Sequence, residues 1–154
     1  MTTTVAIVNA EGEIVQIYSS GQQVEPEGAW GSDGSMTVVH ISGNVDNTNT
    51  FITQQYYKDG VWKERSARPN VYYNWKDEAW VLDSVRLWEE VRKERNIKLA
   101  MCDWTQAADS PLTDSKKEEW IIYRQRLRDT PVLNLPSSEI THLDQIVWPT
   151  SPPS

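Results

Sequence analysis

The chain of 154 residues is poor in most of what catalysis and metal binding draw on. It has a single cysteine, Cys102, so no disulfide can close within it and no cysteine-based zinc site can be built. The absence of bridges fits a reducing compartment. There are two histidines, His40 and His142, far apart in sequence. No His-x-x-x-His or Cys-x-x-Cys spacing occurs, no glycine-rich phosphate loop and no Asp-rich calcium loop. Basic charge is also short. A net charge of −7 argues against general affinity for phosphate backbones or anionic membranes. No stretch approaches the ~20 apolar residues of a membrane span. The N-terminus lacks a basic region followed by a long apolar run, so no signal peptide is expected. These absences predict a soluble protein with no cofactor, no metal, no nucleic-acid partner and no membrane contact.

What the chain has instead is tryptophan. Eight Trp and six Tyr stand against one Phe. Each Trp is a large, stiff apolar body with one donor that wants a partner. Such a set builds a small core from big pieces, or a surface that meets another protein; core building is the blander reading.

Read in order, residues 1 to 80 are β-rich. Val5, Ile7 and Val8 precede the turn cluster Asn9-Ala10-Glu11-Gly12, and Ile14, Val15, Ile17 and Tyr18 follow, which is a hairpin signal. Residues 19 to 35 hold four of the seven Gly and read as a long loop around Trp30. A strand is expected at 36 to 42. Residues 43 to 49 read as ordinary turn chemistry rather than oxygen ligands. Residues 50 to 57 read as extended, with Phe51, Thr53, Gln55 and Tyr57 on one face by alternation. Two hairpins then echo each other. Tyr56-Tyr57 leads through Lys58-Asp59-Gly60 to Trp62, and Tyr72-Tyr73 leads through Lys76-Asp77-Glu78 to Trp80. Pro69 breaks the chain between them.

Residues 81 to 131 read as a helical hairpin. The first helix starts near Asp83, a suitable N-cap, with Val85, Trp88, Val91, Arg95 and Leu99 at helical spacing. Glu90 and Glu94 lie among Arg86, Arg92, Lys93 and Lys98 on the outer side. The second starts at Thr113 with Asp114 in its first turn, and presents Trp120, Tyr123 and Leu127 on one face, widened by Ile121 and Arg124. Pro131 is expected to stop it. Between them sits Cys102-Asp103-Trp104-Thr105-Gln106. Asp103 can accept from the turn's own N–H groups or pair with Arg124 or Arg128, Trp104 can plug the open end, and Gln106 can satisfy a buried carbonyl. The expected seam sets Trp88, Val91, Leu99 and Trp104 against Trp120, Tyr123 and Leu127. Residues 132 to 154 form a Pro-rich C-terminal tail in which Ile146-Val147-Trp148 docks on the domain or on a partner. The fold class is therefore α+β: an N-terminal antiparallel β-hairpin region, then the C-terminal helical hairpin and the tail.

Catalytic constellations are thin. His40 lies in an apolar strand and reads as structural. Cys102 lies at a helix end among apolar residues and reads as an inert thiol rather than a nucleophile. No carboxylate pair stands out from the solvated acids, which leaves a glycan hydrolase a distant third reading. The basic residues Lys116, Lys117, Arg124, Arg126 and Arg128 are scattered around the second helix and flanked by acids. Interleaved with Trp120 and Tyr123, they suit a protein interface better than nucleic acid.

The central stretch does resemble a known family. Leu87, Arg92, Arg95-Asn96, Leu99, Cys102-Asp103-Trp104-Thr105-Gln106, Asp109, Pro111-Leu112-Thr113-Asp114, Trp120, Tyr123-Arg124-Gln125, Leu127-Arg128-Asp129 and Pro131 are similar to the phage tail assembly chaperone family. The resemblance covers residues 83 to 131, about a third of the chain, with Trp148-Pro149 behind it. Lys116 departs from the family's Gln, so the Thr113 capping box is lost. The resemblance implies a non-enzymatic protein that binds a phage tail-fibre or other tail protein during virion assembly in the host cytoplasm. A structural component of the tail, baseplate or fibre tip, retained in the particle, is the alternative. The candidate partner-binding residues are Trp104, Gln106, Trp120, Tyr123, Arg124 and Arg128, with Asp103 shaping the turn; the helical hairpin could equally mediate homo-oligomerisation.

Overall fold

The computed structural model describes residues 4–19, 28–30, 33–43, 45–134 and 136–153. The chain divides into two compact units, Met1–Val81 and Leu82–Ser154. The fold is α+β, with antiparallel sheet in the first unit and helices in the second.

The first unit is built on four strands: β1 (Thr4–Val8), β2 (Ile14–Ser19), β3 (Gly28–Trp30) and β4 (Met36–Ile41). They pair in the order β2-β1-β4-β3, each neighbour antiparallel. All five residues of β1 are buried. Its sequence is apolar on both faces, which suits an inner strand. Ala6 and Val8 join Ile14, Val39 and Ile41 on one side, while Val5 and Ile7 join Val38 on the other. The stretch expected to be a loop thus contributes β3 as an edge strand; residues 20–27 and 31–32 of it lie outside the described residues.

Residues 50 to 57 depart from the expected strand. Helix α1 (Thr48–Gln54) occupies most of the segment, and only then does β5 (Gln55–Lys58) begin. The cause is local. The Asn47 side chain accepts the Thr50 N–H at 3.1 Å and caps the first turn. Phe51 and Ile52 then both pack on the sheet core. Sequence neighbours in a strand would point to opposite faces, so burying both favours helix over alternation.

The paired hairpins are present. β5 pairs with β6 (Val61–Glu64), and β7 (Tyr73–Lys76) pairs with β8 (Ala79–Leu82). The first turn uses Asp59 and Gly60, both at positive φ, as a two-residue hairpin loop requires. The second uses Asp77 and Glu78 at φ 49° and 60°, a conformation unfavourable for glutamate. Compensation comes from the other hairpin. The Glu78 carboxylate accepts from Lys63 Nζ at 2.9 Å and from the Tyr56 hydroxyl at 2.8 Å. These bonds hold the Glu78 carboxyl below its ordinary pKa, and raise those of Lys63 and Tyr56.

The second unit holds α2 (Ser84–Met101), α3 (Asp114–Arg128) and the short α4 (Thr130–Leu133), with single 3₁₀ turns at Asp103–Gln106, Ser137–Glu139 and Leu143–Gln145. Asp83 and Thr113 cap α2 and α3, accepting the N–H of Arg86 and Lys116. Lys93–Glu90 and Lys98–Glu94 pair along the outside of α2, as expected. The core is Leu87, Val91 and Leu127, with Thr105 and Thr130 fully enclosed beside them. Burying a leucine side chain contributes about 1.5–3 kcal/mol. Val85 lies outside this core at 68% exposure, so the buried stripe of α2 runs through Leu87 and Val91 instead. Pro131 also acts differently from expectation. Helix α3 ends at Arg128, and Pro131 sits in the first turn of α4, where its missing N–H costs nothing.

The tail joins the packed unit. Ile146 is buried, and Lys98 Nζ stands 5.1 Å over the Trp148 ring. Lys116 Nζ donates to the Pro153 carbonyl at 3.2 Å. A Pro-rich segment has few N–H groups to offer, so it is held through two carbonyls, the Val147 N–H, one ring and one buried aliphatic side chain.

Candidate functional site

The turn after α2 is fastened from α3. Arg124 Nη1 donates to the Leu99 carbonyl at 2.8 Å and to Cys102 Sγ at 3.2 Å. Arg124 Nη2 donates to Asp103 Oδ1 at 2.8 Å. The Leu99 carbonyl belongs to the last turn of α2, where helix carbonyls lack partners and a cation is favoured. Burial works against the Arg124 charge, but the bonds to Cys102 and Asp103 outweigh it and keep the pKa above the ordinary value. Of the two arginines considered for Asp103, the geometry selects Arg124. Inside the turn, the Thr105 hydroxyl donates to the Cys102 carbonyl at 2.7 Å. Gln106 Nε2 donates to Thr105 Oγ1 at 3.0 Å rather than to a buried carbonyl.

On this clamp rests a row of rings. Trp104 lies 6.2 Å from Trp120, centroid to centroid, and Trp120 meets Tyr123 edge-on at 5.6 Å. Trp120 and Tyr123 are half-buried, and burial pushes the Tyr123 phenol up in pKa, with Cys102 adding to the effect. Trp104 is different: it is 50% exposed. Ile97 and Met101, one helical turn apart on α2 before this turn, are exposed as well.

Of the residues singled out from sequence, Asp103, Trp104, Trp120, Tyr123 and Arg124 come together around one turn. Gln106 borders it through Thr105, and Arg128 is exposed on the last turn of α3. Arg124 is spent on the turn, its side chain only 12% exposed. His40 faces outward on β4, and His142 caps the last 3₁₀ turn by accepting the Asp144 N–H. The buried thiol of Cys102 donates to the Lys98 and Leu99 carbonyls. Among the described residues, no group of three or more His, Cys, Asp or Glu side chains is placed to hold a metal ion, and no helix is long and apolar enough to cross a membrane.

Sequence reasoning missed Asn134. This buried residue takes the Val147 N–H on Oδ1 at 2.7 Å and returns a bond from Nδ2 to the Val147 carbonyl at 3.2 Å. A second bond from Nδ2 reaches the Thr130 carbonyl at 2.8 Å. Its only signal was an asparagine just past an apolar helical turn, which is also the commonest place for a C-cap.

A helical unit whose turn is locked from within and whose exposed edge is aromatic has the build of a protein-recognition module. The sequence model of the family described as phage tail assembly chaperone protein matches residues 88–153, from the middle of α2 to the end of the docked tail. The C-terminal region is thus similar to the phage tail assembly chaperone family. Comparison with curated proteins and with solved structures finds no match.

Proposed function

We propose that the chain binds a phage tail-fibre or other tail protein non-covalently while the particle is being assembled in the host cytoplasm, and carries out no chemistry of its own. The family match over residues 88–153 supports the assembly role. The observation that carries the binding face is Trp104, half exposed at the end of the Trp104–Trp120–Tyr123 row, on a turn that Arg124 holds rigid. A rigid exposed indole loses little freedom on binding, and Trp is the residue type most often found as an interface anchor. Trp120 and Tyr123 back the ring, Gln106 lies two residues on in the same turn, and Arg128 adds an exposed positive charge at the end of α3.

The test is co-expression with the fibre protein of the same particle, followed by affinity measurement on the purified pair. Trp104→Ala should weaken the complex by about 2 kcal/mol, roughly thirtyfold, with the circular dichroism of the free protein unchanged. An unchanged affinity removes Trp104 from the interface. Quantitative mass spectrometry of mature virions then separates the roles. Absence from particles fits an assembly factor, and a fixed copy number makes the protein a tail component.

A further inference from the structure

The first unit contains a second candidate site, outside the region that the family covers. A cavity of about 350 Å³ opens where the β1–β2 turn, the end of α1 and both hairpins converge. That is within the range of small-molecule sites, about 300–1,000 Å³. Its floor is Arg65. The guanidinium donates to Glu13 Oε1 at 2.8 Å and to the Thr53 carbonyl at 3.1 Å. It also lies against two indoles, 4.9 Å from the Trp75 centroid and 4.7 Å from Trp80. Arg65 is thus fully committed, and the cavity's accessible chemistry lies in its walls. One wall is aromatic: Trp80, locked by its N–H to the Ser66 carbonyl at 2.9 Å, and Tyr73, both half-buried. The rest of the lining includes three planar polar groups, Asn9, Glu13 and Arg68. Arg68 is held by bonds to the Tyr73 and Val71 carbonyls at 2.7 and 2.9 Å. Those acceptors are neutral, and among the described residues no carboxylate pairs with it.

We propose that this cavity binds a saccharide ring, and prefers one bearing a carboxylate. A pyranose has an apolar C–H face that lies on an aromatic side chain, and an edge of hydroxyls that pair with planar amides, carboxylates and guanidinium groups. Trp80 and Tyr73 supply the first, Asn9 and Glu13 the second, and Arg68 supplies the unmatched positive charge for a sugar acid. The polar groups are fixed by backbone and side-chain bonds, so binding need not order them. A purely apolar ligand would displace water from Glu13 and Arg68 and leave their remaining hydrogen-bonding capacity unused.

The experiment is a titration of the full chain with glucose, N-acetylglucosamine and glucuronic acid, following the eight tryptophan indole signals by two-dimensional NMR. Saturable shifts confined to Trp75 and Trp80, strongest with glucuronic acid, are expected, with Trp104 and Trp120 unmoved. Trp80→Ala should weaken binding about tenfold or more, and Arg68→Ala should cost glucuronic acid more than it costs glucose. Methyl glucuronoside separates the sources: equal binding points to the end of a glycan, and lost binding to a free reducing sugar. No saturable shift with any of the three at about tenfold above a millimolar Kd overturns the proposal. So does binding that survives Trp80→Ala in a folded variant. Neither result bears on the Trp104 face.

Discussion

Asn134 and Val147 exchange hydrogen bonds as two residues of adjacent strands would, although neither lies in a strand: Val147 N–H donates to Asn134 Oδ1 at 2.7 Å, and Asn134 Nδ2 donates to the Val147 carbonyl at 3.2 Å. One side chain thereby substitutes for a whole backbone unit and stitches the tail to the end of α4. Asn134→Ala leaves the Val147 N–H without its partner and removes the side-chain donor from the Val147 and Thr130 carbonyls, the latter keeping the backbone N–H of residue 134, which costs about 1–3 kcal/mol. The tail should become cleavable between residues 136 and 153 under limited proteolysis, while α2 and α3 stay resistant. If the tail remains resistant in the variant, Ile146 and Trp148 hold it without the clasp.

Arg124 is expected to matter for stability before it matters for binding. Its guanidinium serves the Leu99 carbonyl, Cys102 Sγ and Asp103 together. Arg124→Ala should lower the stability of the C-terminal unit by about 1.5–3 kcal/mol, the range for bonds to a charged donor. Arg124→Lys should recover only part, because an ammonium cannot fork between two acceptors in a fixed plane. Asp103→Asn should cost less than about 1 kcal/mol, since Asp103 is 66% exposed and water replaces its partner. Denaturant melts of the three variants give the order. Equal losses for Arg124→Ala and Asp103→Asn would place the stabilisation in the ion pair rather than in the helix end.

Gly12 carries the junction between the β1–β2 turn and β5. Its φ is +80°, and a Cβ there would collide with the Tyr57 carbonyl. The Gly12 carbonyl meanwhile accepts the Tyr57 N–H at 2.9 Å. Gly12→Ala therefore meets two costs, about 1 kcal/mol or more for the left-handed backbone and a further loss from separating the two segments. Gly60 shares the positive φ but has open space around it, so Gly60→Ala should show the first cost alone. A larger loss at Gly12 than at Gly60 in thermal melts confirms the close approach.

The Glu78 cluster makes the first unit sensitive to pH at both ends. The Glu78 pKa is lowered by its bonds from Lys63 and Tyr56, so its contribution is present above the unfolded value near 4.5 and is lost as pH falls through the lower folded value. Tyr56 and Lys63 are raised, by the same bonds to Glu78. Their contributions are present below the unfolded values of 10.0 and 10.5 and are lost as pH climbs through the folded ones. Glu78→Gln should flatten both limbs of the stability–pH curve, and Tyr56→Phe should weaken each only in part, because Lys63 still pairs with Glu78. An acid limb unchanged in Glu78→Gln would assign it to other carboxylates.

Sequence alone determined the elements whose signals are local. Asp83 and Thr113 cap α2 and α3, Asp59-Gly60 makes the hairpin turn, and the cluster from Asn9 to Gly12 turns β1 into β2. In each case the chemistry lies within a few residues of the effect. It also placed Asp103 and Trp104 in the turn between the helices and Trp120, Tyr123 and Arg124 on the helix that follows, because a short connection leaves little choice. Tertiary structure decided the rest. Alternation at Phe51 to Tyr57 pointed to a strand, yet burying Phe51 and Ile52 together required α1. Arg124 and Trp104 looked alike as interface residues, and only packing shows one turned into the helix end and the other left half exposed. Nothing in the sequence named the partners of Asn134 and Arg65, since Val147 for one and Glu13, Trp75 and Trp80 for the other lie well away along the chain. Hydrogen-bonding capacity is written in the side chain, but which groups it satisfies depends on which segments burial brings within 3 Å.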